Sequence, residues 1–328
     1  FNCPLLLMTS GGTLTNIPSA CNNPVRLVES GPAGGAILAT SIARDLGLNK
    51  VISFDMGGTT AKITVIENKK AIKAREFEVD RKARFKKGSG FPLRIPVIEM
   101  VEIGAGGGSI ARGNKLEQII TGPDSAGSLP GPACYCNGGT LPTITDADLI
   151  IGKINPENFA GGKIKLSKDL ATDAITKNIS QIVNLDTDTA ALAISEIVDE
   201  TMSNAARVHT VEQGHETSSR TLIAFGGAAP LHVARVAEKL KVSSIIIPTN
   251  ASVGSAVGFL KAPVGYEVVK SLRMLLKAFP VKKVNDLLKI MREEAEKVIE
   301  NKSEKNNFLE ERFAYMRYAG QGHEIKVP

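Results

Sequence analysis

Apolar and polar positions follow strand-like and helical spacings in turn along most of the chain. Residues 51–54 form a short apolar run, and residues 61–66 alternate with a period of two, so the pair with its glycine turn predicts a β-hairpin. Two later apolar runs, 222–225 and 244–247, predict further strands. Helical spacing covers the segments 36–46, 145–149, 167–208, 231–240, 252–260 and 281–300. Strands that alternate with helices predict an α/β fold.

The composition is typical of a globular protein and excludes a disordered chain or a coiled coil. Hydrophobic residues make up 43% of the 328 residues and charged residues 23%. No uncharged apolar run reaches the ~18 residues that a membrane helix needs, and the first residues lack the basic start of a signal peptide. We therefore expect a cytoplasmic protein with no membrane partner. Both ends of the chain, Phe1 and Pro328, are interpreted as cuts in a longer polypeptide.

Charge and cysteine content narrow the function classes further. The net charge is +6, but much of the excess lies in residues 69–87 and in the last third, without interleaved aromatics, which predicts a solvated basic surface and no nucleic-acid partner. Cys3, Cys21, Cys134 and Cys136 are too few for a disulfide scaffold of this size. The pair Cys134 and Cys136 has no second pair at zinc spacing, so reduced cysteines in a loop are expected.

The turn of the predicted hairpin carries the first chemical motif, Phe54-Asp-Met-Gly-Gly-Thr-Thr60. Asp55, at the end of the strand, is suited to a hydrated Mg²⁺. Gly57 and Gly58 allow the backbone to approach phosphate oxygens, and the hydroxyls of Thr59 and Thr60 add hydrogen bonds. The turn resembles the phosphate cradle of the actin, sugar-kinase and chaperone ATPase superfamily. The alternative is a tight turn with an Asx cap.

A second glycine turn follows a strand later in the chain and leads into a helix. Gly226, Gly227 and Ala228 are predicted to pack against the adenine and ribose of a nucleotide, as in the same superfamily. The alternative is an ordinary strand–helix turn. His232, near the helix start, is a ligand contact or a satisfied polar group.

Acidic residues near a third glycine cluster are further candidates. Glu102 precedes the cluster that contains Gly106, Gly107 and Gly108, and these three glycines are predicted to bind the cofactor. This carboxylate would orient a metal ion or a water molecule, and the alternative is that the glycines fit a tight junction.

Two more acidic residues lie at a predicted helix start. Asp146 and Asp148 follow Thr145, a plausible N-cap. They are interpreted either as metal ligands or as capping residues that interact with the helix dipole.

Together these motifs resemble those of the hydantoinase A/5-oxoprolinase family, and they occur in the order of that family. The segments that carry the resemblance are Ser30-Gly-Pro-Ala-Gly-Gly35, Phe54-Asp-Met-Gly-Gly-Thr-Thr-Ala-Lys62, Gly88-Ser-Gly-Phe-Pro-Leu93, Glu102-Ile-Gly-Ala-Gly-Gly-Gly-Ser-Ile110, Gly131-Pro-Ala-Cys-Tyr135, Thr145-Asp-Ala-Asp-Leu149 and Phe225-Gly-Gly-Ala-Ala-Pro-Leu-His232. They cover nearly the whole chain. Family members usually carry an upstream domain with its own Asp-x-Gly-Gly-Thr motif, which this sequence lacks.

The resemblance implies an α/β actin-like ATPase fold, with mixed sheets flanked by helices, and an ATP-dependent enzyme that hydrolyses a cyclic amide. The expected cofactors are ATP and Mg²⁺ or Mn²⁺, with Asp55 as the metal-associated carboxylate and Asp55, Lys62 and Glu102 as catalytic residues. Gly57, Gly58, Thr59 and Thr60 would hold phosphate. A hydantoinase B-type subunit is the expected partner, and a homo-oligomer is possible.

Two departures from the family pattern keep alternatives open. Lys62 stands where many members carry Asp, although Lys also occurs in the hydantoin-like branch, and Ala229 replaces a glycine. The alternatives are an ATP-dependent ketone carboxylase subunit and a non-catalytic assembly or regulatory subunit.

The predicted domains are a phosphate-cradle lobe (1–150), a helical and adenosine-motif lobe (151–265) and a C-terminal helix with strands (266–328).

Overall fold

A computed structural model describes residues 5–79, 89–299, 308–322 and 324–328. The chain divides into two compact units, Phe1–Glu267 and Val268–Pro328. Parts of the sequence predictions, namely Cys3, Gly88 and much of the basic segment 69–87, lie outside the described residues.

The first unit contains fourteen strands and eight helices. The strands are β1 (Leu6–Met8), β2 (Leu14–Asn16), β3 (Lys50–Met56), β4 (Ala61–Glu67), β5 (Lys70–Ala71), β6 (Lys73–Ala74), β7 (Phe77–Val79), β8 (Phe91–Leu93), β9 (Val97–Ile98), β10 (Met100–Ile103), β11 (Ser109–Gly113), β12 (Ile119–Ser125), β13 (Thr221–Phe225) and β14 (Ser244–Ile246). The helices are α1 (Ile17–Asn22), α2 (Ser30–Asp45), α3 (Ile144–Ile150), α4 (Lys168–Ile175), α5 (Gln181–Val183), α6 (Thr187–Glu212), α7 (Ala229–Leu240) and α8 (Gly254–Lys261). These counts refer to the described residues.

The second unit contains the helix α9 (Val281–Ile299) and the strands β15 (Ala314–Met316) and β16 (Ile325–Val327). The two strands pair in antiparallel fashion. Helix α9 follows the amphipathic pattern that predicted a helix over residues 281–300. Residue 300 lies beyond the described part of this helix.

The centre of the first unit is a mixed sheet with the strand order β10-β4-β3-β13-β14. Strands β3 and β4 form the predicted hairpin and β10 continues it in antiparallel fashion, whereas β13 and β14 run parallel to β3. The predicted α/β fold, a mixed sheet flanked by helices, is confirmed. The predicted boundary at residue 150 does not separate two units, because β13 lies beside β3 in one sheet.

Side-chain alternation assigns the two faces of the sheet to different helices. Ile52, Phe54 and Met56 belong to a core with residues of α3, α6 and α7. Val51 and Phe225 belong to a second core with residues of α2 and α8. Since side chains of a strand alternate between faces, Asp55 lies on the α2/α8 side.

Helix α2 begins earlier than its apolar spacing predicts. It starts at Ser30 rather than near residue 36, because the small residues 30–35 are used for close helix packing. A Cβ atom at Gly34 would lie 2.6 Å from the Ser255 carbonyl oxygen of α8. The structure thus gives this segment a packing role.

The helical stretch predicted over residues 167–208 is interrupted. Asn184 ends α5 in the left-handed conformation, with φ of 52°. Asp186 then caps α6, because its carboxylate accepts a hydrogen bond from the Thr189 amide at 2.9 Å. None of the helices within the described residues is long and apolar enough to span a membrane.

Candidate functional site

The turn between β3 and β4 presents open backbone at the carboxyl end of β3. The Gly57 amide donates to the Thr60 carbonyl at 3.1 Å, which closes the turn. A Cβ atom at Gly57 or Gly58 would meet nothing within 4 Å. Within the described residues, the amides of Gly58 and Thr59 have no hydrogen-bond acceptor. Open space beside two available N–H groups fits an anion such as phosphate.

The glycine cluster at 106–108 supports this turn from behind. The Gly107 and Gly108 amides donate to the carbonyls of Gly57 and Gly58, at 3.0 and 2.7 Å. A Cβ atom at Gly106 would lie 2.5 Å from the Thr59 amide nitrogen. All three glycines are buried. They therefore hold the turn in place, which supports the alternative of a tight junction, and the predicted cofactor contact of Gly106, Gly107 and Gly108 stays a prediction.

The second glycine turn, which follows β13, packs against the end of β3 in the β3–β4 hairpin. Gly226 has a φ of +94°, and a Cβ atom there would lie 2.7 Å from Asp55 Oδ1. The Ala228 amide donates to the Met56 carbonyl at 2.9 Å. Ala228 is buried, whereas Gly227 is exposed and has open space where a side chain would be. The three glycine motifs, far apart in sequence, thus converge around the end of β3.

Asp55 is half-buried where these segments meet. Ser255 of α8 donates a hydrogen bond from Oγ to Asp55 Oδ2 at 3.1 Å. Burial raises the pKa of Asp55, while the Ser255 hydrogen bond and the charge of Lys62 oppose that increase. Ser255 was missed by the sequence reasoning, because it is 200 residues from Asp55.

A single carboxylate at this position is compatible with Mg²⁺. Within the described residues, no group of three or more His, Cys, Asp or Glu side chains is arranged to hold a metal ion. Mg²⁺ commonly binds one or two carboxylates and takes its other ligands from water and phosphate. Asp55 beside the open turn fits that pattern.

Lys62 and Glu102 form an ion pair on neighbouring strands. The two residues are opposite each other in β4 and β10, with 3.0 Å between Lys62 Nζ and Glu102 Oε1. Lys62 also donates to Thr60 Oγ1 at 2.5 Å. The Lys62 side chain is only 19% exposed, so it is not a solvated strand lysine. Its ammonium group is held beside the hairpin turn.

Glu29 is a further acidic residue of this region that the sequence reasoning missed. It precedes α2 in the left-handed conformation, with φ of 59°, which is uncommon for a residue with a side chain. Burial raises its pKa, and the nearby charge of Glu102 adds to this effect, while Lys62 opposes it. The position of Glu29 directly before the Ser30-Gly-Pro segment was the feature of the sequence that could have identified it as a candidate.

Asp146 has a structural role instead of the predicted metal role. Its carboxylate accepts hydrogen bonds from the amides of Ala133 (3.2 Å), Cys134 (2.7 Å) and Thr143 (2.8 Å), and from Thr143 Oγ1 (2.7 Å). Thr143, not Thr145, is the N-cap of α3, and it forms a capping box with Asp146. Four hydrogen bonds occupy the carboxylate of Asp146.

Asp148 is buried and faces other protein charges. Its carboxylate is 3.6 Å from Lys153 Nζ and 3.1 Å from His232 Nε2. His232 is fully buried and paired with carboxylates, which supports the polar core residue of the two possibilities considered. Two cations beside Asp148 do not fit a metal site, which corrects that prediction.

Comparison with known proteins identifies the family to which this chain is similar. A family model described as hydantoinase/oxoprolinase matches residues 1–268. The chain is 32% identical over 315 residues to caprolactamase subunit alpha of Pseudomonas jessenii, which covers 92% of this chain and 43% of that protein. The chain thus spans less than half of this relative's length.

Two solved structures are similar over 99% of this chain and 46% of theirs. One is a nucleotide-free acetone carboxylase from a study of ATP-dependent acetone carboxylation, with a TM-score of 0.79 and 26% identity. The other is an ATP-dependent caprolactamase from Pseudomonas jessenii, with a TM-score of 0.76 and 30% identity. With the family match over most of its length, the chain belongs to the hydantoinase/oxoprolinase family.

Proposed function

We propose that this chain forms the nucleotide site of an ATP-dependent enzyme that opens a cyclic amide, and that it acts as the A subunit or domain of that enzyme. The observation that carries the proposal is the open hairpin turn beside Asp55, held by the glycine segments of β10–β11 and β13–α7. The similarity to an ATP-dependent caprolactamase supports the reaction class. A B-type subunit is the proposed partner.

Each residue of the site has a separate role in the proposed binding and transfer of phosphate. The amides of Gly58 and Thr59, with the hydroxyls of Thr59 and Thr60, bind the phosphate oxygens. Asp55 would hold Mg²⁺ or Mn²⁺, which would neutralise phosphate charge. Lys62, kept in place by Glu102 and Thr60, stabilises the negative charge that develops during transfer. Gly227, which is exposed, would lie beside the adenosine. Phosphoryl transfer depends mainly on such positioning and charge neutralisation.

Phosphorylation would overcome the low reactivity of an amide. Transfer of the terminal phosphoryl group of ATP to the carbonyl oxygen releases ADP and activates the carbonyl carbon. Water then adds to that carbon and the ring C–N bond breaks, which leaves an acyl phosphate. A second water molecule releases inorganic phosphate from it. Each turnover thus consumes one ATP and opens one ring.

The first test is calorimetric titration of Mg·ATP into the wild-type protein and into Asp55→Asn. We expect wild-type binding near the micromolar range, about −8 kcal/mol, and loss of detectable binding in Asp55→Asn. Asp188→Asn is the matched control, because Asp188 is an exposed residue in the first turn of α6. No heat with the wild type would overturn the assignment of the nucleotide site to this chain.

A second candidate reaction is ketone carboxylation, which the similarity to an acetone carboxylase favours. The two reactions are separated by turnover of ATP with a B-type subunit present. Stimulation by a lactam such as caprolactam, with release of the ring-opened product, supports the amide reaction. Stimulation by a ketone plus bicarbonate, and not by a lactam, supports the carboxylase.

A further inference from the structure

A cluster of buried charges lies directly behind the glycine loops and has no part in the proposed chemistry. His232 is at its centre, with its side chain 0% exposed. Its Nδ1 is 2.8 Å from Asp199 Oδ1, and its Nε2 is 3.1 Å from Asp148 Oδ2. His232 Nε2 forms an ionic contact with Asp148 and makes no hydrogen bond of acceptable geometry.

Lys153 and Ser195 complete the cluster. Lys153 Nζ donates to Ser195 Oγ at 2.8 Å and is 3.6 and 3.8 Å from the carboxylates of Asp148 and Asp199. Ser195 Oγ donates to Asp148 Oδ1 at 3.2 Å. Two carboxylates therefore face two basic groups, and the charges balance when His232 is protonated. Burial alone lowers the pKa of His232, but the two carboxylates outweigh burial and raise it to about 9.

The cluster is connected to the glycine loops through two helices. Three residues before Asp148, Thr145 donates to the Gly107 carbonyl from both its amide and Oγ1, each at 2.8 Å. Four residues before His232, the Ala228 amide donates to the Met56 carbonyl. The contact between His232 and Asp148 thus joins the helix that holds Gly107 to the helix that follows Gly226–Ala228.

The two loops also lie close to each other. A Cβ atom at Gly107 would lie 3.9 Å from the Ala228 Cβ atom. A change in the separation of α3 and α7 would therefore shift the backbone that supports the hairpin turn. A cation in the first turns of a helix is unfavourable with respect to the helix dipole, and a buried ion pair contributes little stability compared with apolar packing. Removing one partner of such a pair is nevertheless destabilising, so the cluster fixes geometry without a net gain in stability over an apolar core.

We propose that His232 is a positioning residue for the nucleotide site: by joining Asp148 of α3 to Asp199 of α6, it sets the separation of the Gly107 loop and the Gly226–Ala228 turn. The inference rests on the proposed function, since it assigns these loops to nucleotide binding. His232 itself touches neither nucleotide nor substrate.

The test compares His232→Gln with the matched control His215→Gln in the intact chain. His215 also faces a carboxylate, with 3.7 Å between Nδ1 and Glu67 Oε2. Glu67 pairs with Lys50 at the opposite end of β3 from the hairpin turn. At a temperature where both variants are folded, we expect the Mg·ATP dissociation constant to rise tenfold or more in His232→Gln. In His215→Gln it should stay within twofold of wild type.

A double variant separates positioning from simple charge balance. His232→Gln with Asp199→Asn leaves Asp148 and Lys153 as a balanced pair but does not restore the ionic contact between α7 and α3. We expect its melting temperature to return towards the wild-type value while the dissociation constant stays raised. If the double variant recovers both its melting temperature and its affinity, the proposal is overturned, because charge balance alone would then explain the effect. Unchanged affinity in His232→Gln would also overturn it.

Amide hydrogen exchange provides a readout that does not need a nucleotide. We expect His232→Gln to speed exchange in residues 104–109 and 226–229, and not in the β1–β2 pair. If the wild type binds no Mg·ATP, the proposed function fails, but this measurement still decides whether His232 positions the loops. Unchanged exchange at both loops would overturn the inference even if nucleotide binding is normal.

Discussion

The outer face of the hairpin turn and the packed layer behind it use similar residues in opposite ways. On the outer face, Gly57, Gly58 and Gly227 have open space where side chains would be. In the packed layer, formed by Gly106, Gly226 and the charge cluster around His232, the glycines touch neighbouring backbone and the charges are paired. A glycine-rich motif therefore indicates a ligand site only where the space that a side chain would occupy is open.

Charged residues differ between the two regions in the same way. Lys62 and Glu102, at the outer face, form a pair in which 47% of the Glu102 side chain remains exposed. In the packed layer, the side chains of Asp148 and Asp199 are 1% and 3% exposed. Solvent weakens the first pair, whereas the second has no water to replace a lost partner. Changes at the outer face should alter binding, and changes in the packed layer should alter stability as well.

The largest effect on stability is expected when a methyl group is placed behind the turn, at Gly106. A methyl group on the open side of the turn, at Gly57, provides the comparison. Gly106→Ala pushes a Cβ atom against the backbone of Thr59 and Gly58, so we expect a loss of about 3 kcal/mol in the free energy of unfolding. Gly57→Ala fills open space and should cost less than about 1 kcal/mol, while it weakens Mg·ATP binding. Urea unfolding and calorimetry measure the two quantities. Equal stability losses in the two variants would contradict the distinction.

The second prediction concerns the pH dependence of stability. The pKa of His232 is raised from 6.5 to about 9 in the folded protein, so folding strengthens proton binding. The resulting stabilisation is fully present below pH 6.5 and is lost as the pH rises through about 9. From the size of the shift it amounts to about 3 kcal/mol. Urea unfolding between pH 6 and pH 9.5 measures it.

Two histidine variants control this measurement, because lysines and cysteines also titrate in the alkaline range. His232→Gln should flatten the pH dependence, whereas His215→Gln should keep the wild-type profile. A wild-type stability that is the same at pH 6 and pH 9.5 would show that His232 is not held as a cation.

Local patterns in the sequence predicted the main elements of this fold. The period-two alternation after residue 60 identified the β3–β4 hairpin, and the glycine motifs located the segments that converge at Asp55. The convergence itself depends on parallel pairing of β3 with β13. Pairing of strands that far apart is set by tertiary packing, which local periodicity does not encode.

The direction in which each residue points was the part that the sequence could not specify. Gly57 and Gly107 both lie in glycine-rich motifs of the sequence, yet Gly57 has open space beside it and Gly107 is buried. Asp146 resembles a metal ligand until its four hydrogen-bond donors are known. The contact from Ser255 to Asp55 joins two elements only through the α2/α8 face of the sheet. Each of these outcomes depends on contacts from distant segments.

The smallest effect is expected from Glu102→Gln, which tests how far the outer face depends on its ion pair. Because nearly half of the Glu102 side chain is exposed, solvent screens the pair, and the free energy of unfolding should change by less than about 0.5 kcal/mol. The Mg·ATP dissociation constant should change less than threefold, since Lys62 retains its hydrogen bond to Thr60. Leu116→Ala, at an exposed position, is the control for both measurements. A tenfold loss of affinity in Glu102→Gln would instead place this carboxylate at the metal ion, as a second ligand beside Asp55.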